Sequence, residues 1–279
     1  MRTSQNLHST ELSTFNTLLK HSSIVKLKNN IWLSKQRIAG KVAANALILL
    51  ENEVKNKTAK SMLELNDLAE QFIISNNCTP TFKNYKGFPC GVCISVNKQL
   101  VHGIPTDYKL KDGDVVSFDL GATYEGAIAD TALTCIFGEP KSQEHVRLIK
   151  VTESALMNAI NSIKIGNRLG SIGNAVYKTI KKEGFNAITN YGGHGICTDN
   201  EGNGIPHASP FVPNKGLPNE GLRLCAGMSL AIEPMAIIGD AHTYVDKDGW
   251  TVCAQNINSH SEHSIFIHED SVEIITNRN

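Results

Sequence analysis

The chain has 279 residues, of which 41% are hydrophobic and 19% are charged. This composition can bury a sizeable core, which excludes a disordered protein and favours one large domain or two small ones. The 27 basic and 27 acidic residues cancel, which excludes a protein that binds polyanions with its whole surface.

The basic residues are concentrated at the start of the chain. Residues 1–60 contain ten lysines and arginines against three acids. The stretch 20–60 is either the solvated face of a helix or a weak contact with ribosomal RNA, whose phosphates attract cations without sequence preference. No specific nucleic acid is expected as a partner. Residues 1–23, rich in Ser, Thr and Asn, are predicted to form a loosely ordered extension before a single domain at 24–279.

Cysteine usage indicates the cell compartment. Seven cysteines are scattered over the chain without a hydrophobic signal sequence ahead of them, which argues against a secreted disulfide framework and favours the cytoplasm. No apolar run approaches the ~20 residues of a membrane span, so no membrane contact is expected. Cys90 and Cys93 have the spacing of half a zinc site, but no second pair lies at finger spacing. We therefore interpret them as ordinary buried thiols.

The first half of the chain is predicted to hold two helices and three strands. Apolar residues recur at three- and four-residue steps from Ser34, which could cap this helix, and again over residues 63–74. A loop-like aromatic stretch follows at 76–91. The predicted strands lie at 92–96, 115–120 and 131–137.

The second half is predicted to begin with helices at 145–163 and 169–182, the latter closed by Gly184. Residues 192–221 contain seven glycines and four prolines, a composition that predicts one long loop. Four strands are then predicted, at 229–233, 236–238, 250–254 and 264–268.

One internal repeat stands out. Residues 110–119 align without gaps on residues 224–233, matching Leu to Leu, Gly to Gly and carboxylate to carboxylate at an offset of 114. The helices that precede these segments recur at a similar offset. Two related halves about a pseudo-twofold axis would bring Asp119 and Glu233 to equivalent places.

Four carboxylates stand in apolar, strand-like surroundings with no lysine or arginine beside them in the sequence. They are Asp119, Asp130, Glu233 and Glu262. Burying such groups is costly unless a positive charge compensates, which suggests a multivalent cation. His194, framed by glycines, adds a nitrogen ligand, and four carboxylates with one imidazole suit a pair of bridged divalent ions. The alternative is that each acid is a structural group satisfied by its own neighbours.

Several motifs occur in an order that is similar to a known family. They are Cys93-Ile-Ser-Val-Asn, His102-Gly-Ile-Pro, Gly-Asp-Val-Val-Ser-Phe-Asp119 with Asp130-Thr, Gly-Gly-His194-Gly-Ile, Gly-Met-Ser-Leu-Ala-Ile-Glu233-Pro-Met and Trp250 followed by Ser-Glu262-His-Ser. Over about residues 24–275 the chain resembles the type I methionine aminopeptidases. The resemblance implies an α+β pita-bread fold: a curved antiparallel sheet covered by helices, in two halves related by a pseudo-twofold. Residues 24–279 would then be the metallo-aminopeptidase catalytic domain.

The resemblance also implies a centre of two divalent metal ions, Mn, Fe, Co or Zn. Asp119 would chelate one ion, and Asp130 with Glu262 would bridge both. His194 and Glu233 would hold the other ion. Glu233 would in addition act as the general base that takes a proton from the bridging water.

The implied activity is removal of the N-terminal methionine from peptides and nascent chains whose second residue is small, by an enzyme expected to be a monomer. His102 and His207 would contact the scissile peptide and stabilise the tetrahedral intermediate. The methionine side chain would lie in an apolar pocket. That pocket is expected to be formed by Tyr85, Phe88, Cys93 and Trp250.

Three features depart from the family pattern. The segment from His194 to His207 is about six residues longer than usual because of an acidic, glycine-rich insertion at 198–204. Ala208 stands where the family commonly has an acid, and His260-Ser261 replaces a Gln and an aromatic residue. These departures touch the rim of the expected pocket and therefore bear on substrate preference.

Three rival assignments follow from the same residues. An X-Pro aminopeptidase or prolidase resembles this metal set and fold, but usually carries an extra N-terminal domain, whereas 101 residues precede His102 here. A type II methionine aminopeptidase would insert a helical subdomain between His194 and Glu233, where only 38 residues intervene. A non-catalytic protein on this fold, binding ribosomes or other partners, is disfavoured because all five ligands are retained.

Overall fold

The structure, a computed structural model, describes residues 25–58 and 60–278, so the predicted extension at 1–23 lies outside the described residues. The helices are α1 (Asn30–Lys55), α2 (Met62–Ser75), α3 (Gln143–Asn161) and α4 (Leu169–Lys182). The strands are β1 (Thr79–Pro80), β2 (Val92–Val96), β3 (Gln99–Val101), β4 (Val115–Tyr124), β5 (Ala127–Ile136), β6 (Asn186–Ala187), β7 (Gly192–Thr198), β8 (Gly204–Pro213), β9 (Ser229–Ile232), β10 (Met235–Ile237), β11 (Thr243–Val245), β12 (Val252–Ala254), β13 (Asn258–His260), β14 (Glu262–Ile267) and β15 (Val272–Ile274).

Nine of these strands form one main sheet. Its order is β1-β4-β5-β14-β9-β7-β8, with β2 added to β4 and β15 added to β14. Two three-stranded sheets, β13-β10-β6 and β11-β12-β3, lie beside it. The strand pairs of the described residues are antiparallel, as predicted for an α+β sheet.

The first helix begins earlier than the sequence pattern predicted. Asn29 caps α1, because its side chain accepts a hydrogen bond of 2.9 Å from the backbone N–H of Trp32. Ser34, the predicted cap, lies inside the helix, where its hydroxyl donates to the carbonyl of Asn30. The prediction of the cap was therefore wrong by about one turn, whereas α4 has the predicted bounds and is followed by Gly184 at φ 81°.

The hairpin of β4 and β5 is longer than predicted. Each strand has ten residues, and they are joined by Glu125 and Gly126, whose φ angles are 44° and 80°. Two consecutive residues with positive φ form the tight turn whose twist matches that of paired strands. This turn carried no Asn-Gly or Asp-Gly signal, so both strands were predicted too short.

The predicted loop at 192–221 was wrong, because most of it forms the hairpin of β7 and β8. The glycines in β7 allow the backbones of neighbouring strands to approach closely. A Cβ at Gly193 would lie 2.1 Å from the carbonyl oxygen of Ala231, and one at Gly195 would lie 2.2 Å from that of Ser209. A glycine within a strand often marks such an approach, which composition alone does not distinguish from a loop.

The predicted pseudo-twofold is visible in the backbone. Gly113 and Gly227, which the repeat aligns, have φ angles of 81° and 85°. The N–H of Gly113 donates to the carbonyl of Phe137 at 2.7 Å, and that of Gly227 donates to the carbonyl of Ile267 at 2.9 Å. The same turn therefore leads into β4 in one half and into β9 in the other.

Each half has its own apolar core between two helices and the sheet. Helices α1 and α2 pack on β2 and β4, and helices α3 and α4 pack on β8, β9 and β14. Fully buried Leu47 and Phe118 belong to the first core and Ile172 to the second. The helices thus cover one face of the sheet and leave the other for polar side chains. In the described ranges, no helix has the length and apolar character that a bilayer crossing needs.

Candidate metal centre

The five predicted ligands lie on five strands that are neighbours in the main sheet. In sheet order these strands are β4, β5, β14, β9 and β7. The ligands in the same order are Asp119, Asp130, Glu262, Glu233 and His194, of which Glu233 directly follows the last residue of β9. Residues from both halves of the chain therefore meet in the middle of the sheet.

The register places three of the carboxylates on one face. Asp119 pairs with Ala132, and Ala132 pairs with Glu262 on the next strand. Asp130 precedes Ala132 by two residues. Since paired residues and residues two apart point to the same side of a sheet, all three carboxylates share that side.

The other two ligands join this face through Ala231. His194 pairs with Ala231, and Glu233 follows Ala231 by two residues. Ala231 also pairs with Ser264, two residues after Glu262. The five side chains are thus directed to the face opposite the helices.

Distances define three overlapping groups of possible ligands, one of which is Asp130, His194 and the predicted non-ligand His207. The ligand atoms of Asp119, Asp130 and Glu262 lie within 4.8 Å of one another, and so do those of His194, Glu233 and Glu262. His194 Nε2 is 3.5 Å from Glu233 Oε1 and 3.9 Å from Asp130 Oδ2. Two neighbouring cation sites that share Glu262 are the arrangement that this geometry can hold.

The carboxylates carry uncompensated negative charge. Asp119 Oδ1, Asp130 Oδ1 and Glu262 Oε1 are buried and have no hydrogen-bond partner in the described part of the chain. Burial, followed by repulsion from neighbouring acids, raises the pKa values of Asp130 and Glu262 well above their usual range. Burial also raises the pKa of Asp119 to about 7. Bound divalent cations would supply the missing charge, so the donor set fits them.

Glu233 differs from the other three acids. Burial raises its pKa, but the contact with His260 and the nearby His194 outweigh this effect, and the pKa is lowered. His260 Nε2 lies 3.4 Å from Glu233 Oε2, while His194 approaches the other oxygen. Glu233 is therefore held as an anion, which a general base must be.

His260 is the contact that sequence reasoning missed. It is 1% exposed on β13, where its backbone exchanges hydrogen bonds of 2.7 and 2.9 Å with the hydroxyl of Thr134. It lines neither of the two cavities described below, so its contact with Glu233 lies outside both of them. Its departure from the family pattern was the only sequence signal.

The two predicted non-ligand histidines lie where two cavities meet. His102 and His207 line both a cavity of about 220 Å³, which contains all five ligands, and an apolar pocket of about 170 Å³. The ring of His207 is 4.5 Å from that of His194, although the residue is exposed at the mouth. Burial lowers the pKa of His102. Although His207 as a residue stays exposed, burial of its ring, together with the nearby His194, lowers its pKa to about 3. His102 has φ 57°, an uncommon backbone conformation of the kind found at functional sites.

The insertion at 198–204 does not displace His207. The extra residues extend the tip of the β7–β8 hairpin, where the N–H of Asp199 donates to the carbonyl of Asn203 at 2.8 Å. None of them lines either cavity. Ala208 pairs with Gly195 and also lies outside both cavities.

The apolar pocket contains every residue predicted for it. The predicted members are Tyr85, Phe88, Cys93, Trp250, His102 and His207, and the unpredicted ones are Phe82, Lys86 and Asp119. The rings of Phe88 and Trp250 meet edge to face at 5.3 Å. Four of the nine lining residues belong to the aromatic segment that precedes β2. Composition identified this segment as a loop without indicating which of its side chains enter the pocket.

The basic stretch at 20–60 is largely paired with acids where the structure describes it. Five of its side chains form ion pairs of 2.7–3.6 Å. They are Lys35 with Glu125, Arg37 with Glu273, Lys55 with Glu51, Lys57 with Asp112 and Lys60 with Glu53. This pairing favours the interpretation as a solvated helix face, and a ribosome contact stays a prediction.

Comparison with known proteins agrees with this geometry. Metallopeptidase family M24 matches residues 34–272. A methionine aminopeptidase of Mycoplasma capricolum is 42% identical over 256 residues, covering 91% of this chain and 98% of that one. The crystal structure of methionine aminopeptidase from Rickettsia prowazekii superimposes with a TM-score of 0.84 at 35% identity, covering 91% of this chain and 100% of that one. The shared fold confirms the α+β pita-bread prediction.

A prolidase from Pyrococcus furiosus shares the fold alone. Its TM-score is 0.71 at 20% identity, covering 94% of this chain and 68% of that one. The prolidase alternative is therefore the more distant one.

Proposed function

We propose that the five side chains on the open face of the sheet, the face opposite the helices, bind two divalent cations. The proposal starts from the fact that this chain belongs to the methionine aminopeptidases of metallopeptidase family M24. The chain removes the N-terminal methionine of its substrates. Asp119 would hold one ion, His194 with Glu233 would hold the other, and Asp130 with Glu262 would reach both, since Asp130 belongs to one group with Asp119 and to another with His194. The three buried carboxylate oxygens without hydrogen-bond partners are the observation that carries this assignment.

Such cations polarise the scissile carbonyl and acidify the attacking water. Glu233 takes the proton from that water, because it is the acid whose pKa is lowered while its neighbours' are raised. His260 Nε2 and His194 Nε2 lie 3.4 and 3.5 Å from one oxygen each of this carboxylate. The proton can then be passed to the leaving amine.

His102 and His207 act on the substrate at the junction of the two cavities. Their positions let them donate hydrogen bonds to the scissile peptide as its oxygen becomes negative. The methionine side chain fills the apolar pocket beside them. The free amine of the substrate would lie near Asp119, the carboxylate that lines both cavities, and a methionine inside a chain has no free amine to place there.

We expect the second residue of the substrate to be small. Its side chain must share the cavity of about 220 Å³ with the cations and the catalytic groups. Bulky residues would contact Tyr191 and Met235, which line this cavity. The inserted segment lines neither cavity, which supports retention of this limit.

The cytoplasm is the expected site of action, on newly made chains. All seven cysteines are unpaired. Free thiols in this number suit a reducing compartment. The metal is Mn, Fe, Co or Zn, each of which accepts carboxylate and imidazole ligands.

The proposal is tested by measuring metal content and hydrolysis on the same samples. Protein purified without chelator should contain about two divalent ions per chain and cleave Met-Ala-Ser faster than Met-Leu-Ser. Chelation should abolish hydrolysis, and addition of Mn²⁺ or Co²⁺ should restore it. Full activity with one ion or none per chain would contradict the two-cation site. Equal rates on the two peptides would contradict the preference for a small second residue.

A further inference from the structure

Phe211 is a large aromatic residue that remains exposed at the mouth of the active site. It is 54% exposed, although it lies in strand β8 beside the ligand strand β7. It lines the cavity that contains the metal ligands, together with Asn190, Tyr191 and Gly192. An exposed aromatic ring at the edge of a binding cavity is a candidate contact for a ligand.

The strand register directs this ring towards the site. Phe211 pairs with the ligand His194, so the two side chains project from the same face of the sheet. Val212, the next residue, is 2% exposed and packs in the core under the opposite face. The strand register therefore places the aromatic ring on the same face of the sheet as the metal ligands.

The ring lies across a glycine. A Cβ on Gly192 would be 3.1 Å from Cζ of Phe211 and 3.3 Å from its Cε2. The lack of a side chain at this position lets the ring lie close to the backbone of β7. The two residues together form a flat apolar step at the mouth.

The position of the methionine pocket fixes the direction of the rest of the substrate. The pocket and the metal cavity share His102, Asp119 and His207, and Phe211 lines the metal cavity only. A peptide whose first side chain fills the pocket must leave through the metal cavity. An extended chain advances about 3.3–3.6 Å per residue. The second residue follows the first into the metal cavity, and the third is the next to point outwards, towards the mouth where Phe211 lies.

We propose that Phe211, lying on Gly192, forms a subsite that prefers an apolar or aromatic third residue in the peptide. The inference rests on the proposed function, because it uses the methionine pocket to orient the substrate. Burial of an apolar side chain against the exposed ring removes both surfaces from water. A small polar third residue gains much less from this contact.

The preference can be measured with two tripeptides of equal length, Met-Ala-Phe and Met-Ala-Ser. The unmodified enzyme should have a kcat/KM for Met-Ala-Phe about 3- to 10-fold above that for Met-Ala-Ser, the range expected for one aromatic contact. Phe211→Ala should bring the ratio close to one, and Phe211→Tyr, which keeps the ring, should retain it. Ile74→Ala removes an equally exposed apolar side chain (59%) that lines neither cavity, and should leave the ratio unchanged.

The dipeptide Met-Ala separates this inference from the proposed function. If Phe211→Ala lowers kcat/KM equally for Met-Ala, Met-Ala-Ser and Met-Ala-Phe, the ring acts on the site as a whole and the subsite is refuted. A ratio that stays the same in Phe211→Ala also refutes it. Loss of all three hydrolyses in the unmodified enzyme would instead overturn the proposed function.

Discussion

Replacing Asp119 with Asn removes one of the uncompensated charges and keeps the shape of the side chain. In the metal-free protein this charge is unfavourable, because burial raises the pKa of Asp119 from 3.8 to about 7. We therefore expect Asp119→Asn to be more stable than the unmodified protein when a chelator is present. With divalent cations bound the order should reverse, because the variant has lost a ligand.

The magnitude follows from the size of the pKa shift. Well below pH 3.8 the carboxyl group is protonated in the folded and the unfolded chain, and it does not affect the free energy of unfolding. As the pH rises towards 7 the unfolded chain ionises first, so folding stability is lost over this interval and the loss is complete above it. A shift of about three pKa units corresponds to about 4 kcal/mol at pH 8, of which about 2 kcal/mol develops above pH 5.5.

The assay is thermal unfolding of both proteins in chelator between about pH 5.5 and pH 8. About 2 kcal/mol corresponds to roughly 4–8 °C in Tm for a protein of this size, so the advantage of Asp119→Asn should grow by that amount with pH. A melting temperature of the variant equal to or below that of the unmodified protein at pH 8 would refute the reasoning. It would show that the fold already compensates the charge.

Asp114 is a matched control immediately before the same strand. Burial raises its pKa, but hydrogen bonds from the Asn97 amide, the Lys111 N–H and the Tyr108 hydroxyl outweigh this and lower it. An acid with a lowered pKa contributes stability above its unfolded pKa and loses it as the pH falls. Asp114→Asn should therefore destabilise the protein near neutral pH with or without metal, the opposite sign to Asp119→Asn in chelator.

Glu233→Gln should abolish turnover of Met-Ala-Ser, because the amide cannot accept the proton, while peptide binding stays measurable by calorimetry. Residual turnover within tenfold of the unmodified enzyme would show that another residue is the general base. Glu262→Ala should abolish activity, lower the metal content and reduce the fall in Tm caused by chelation, because metal then stabilises the folded state less; an equal fall would contradict the shared ligand. His207→Ala should keep its metal and lose about 10²–10³ in kcat, and a loss within twofold would show that this histidine does not contact the reacting peptide. His260→Leu should lower kcat with little change in KM, whereas His260→Gln, which keeps a donor near Glu233, should retain most of the turnover, and equal losses in the two variants would argue against that contact.

The candidate metal ligands could be selected from the sequence because their signal is local. A carboxylate within an apolar strand must be compensated, so Asp119 or Glu262 is conspicuous without knowledge of its neighbours. The repeat at an offset of 114 could be found for the same reason, because both copies form the same local turn, at Gly113 and at Gly227. Long amphipathic helices are predictable for the same reason, and α4 has the predicted bounds.

The features that escaped prediction depend on contacts between distant segments. Glycines in β7 serve the approach of neighbouring backbones, which composition cannot separate from a loop. The short strands β3, β6, β11, β13 and β15 are stabilised by their partners rather than by their own two or three residues. His260 meets Glu233 only because β13 pairs with β10. None of these relations has a periodicity that a single sequence could reveal.

The pseudo-twofold places Asp119 and Glu233 at equivalent positions, yet the two acids have opposite pKa shifts. Burial raises the pKa of Asp119, and the nearby His260 opposes this effect without outweighing it. At Glu233 the contact with His260 and the nearby His194 do outweigh burial, and the pKa is lowered. Titratable groups whose environments push their pKa values apart can take different roles in one reaction. The duplicated backbone thus supplies two carboxylates in symmetric positions, and the closer histidine contacts of Glu233 suit it, rather than Asp119, to the proposed role of base.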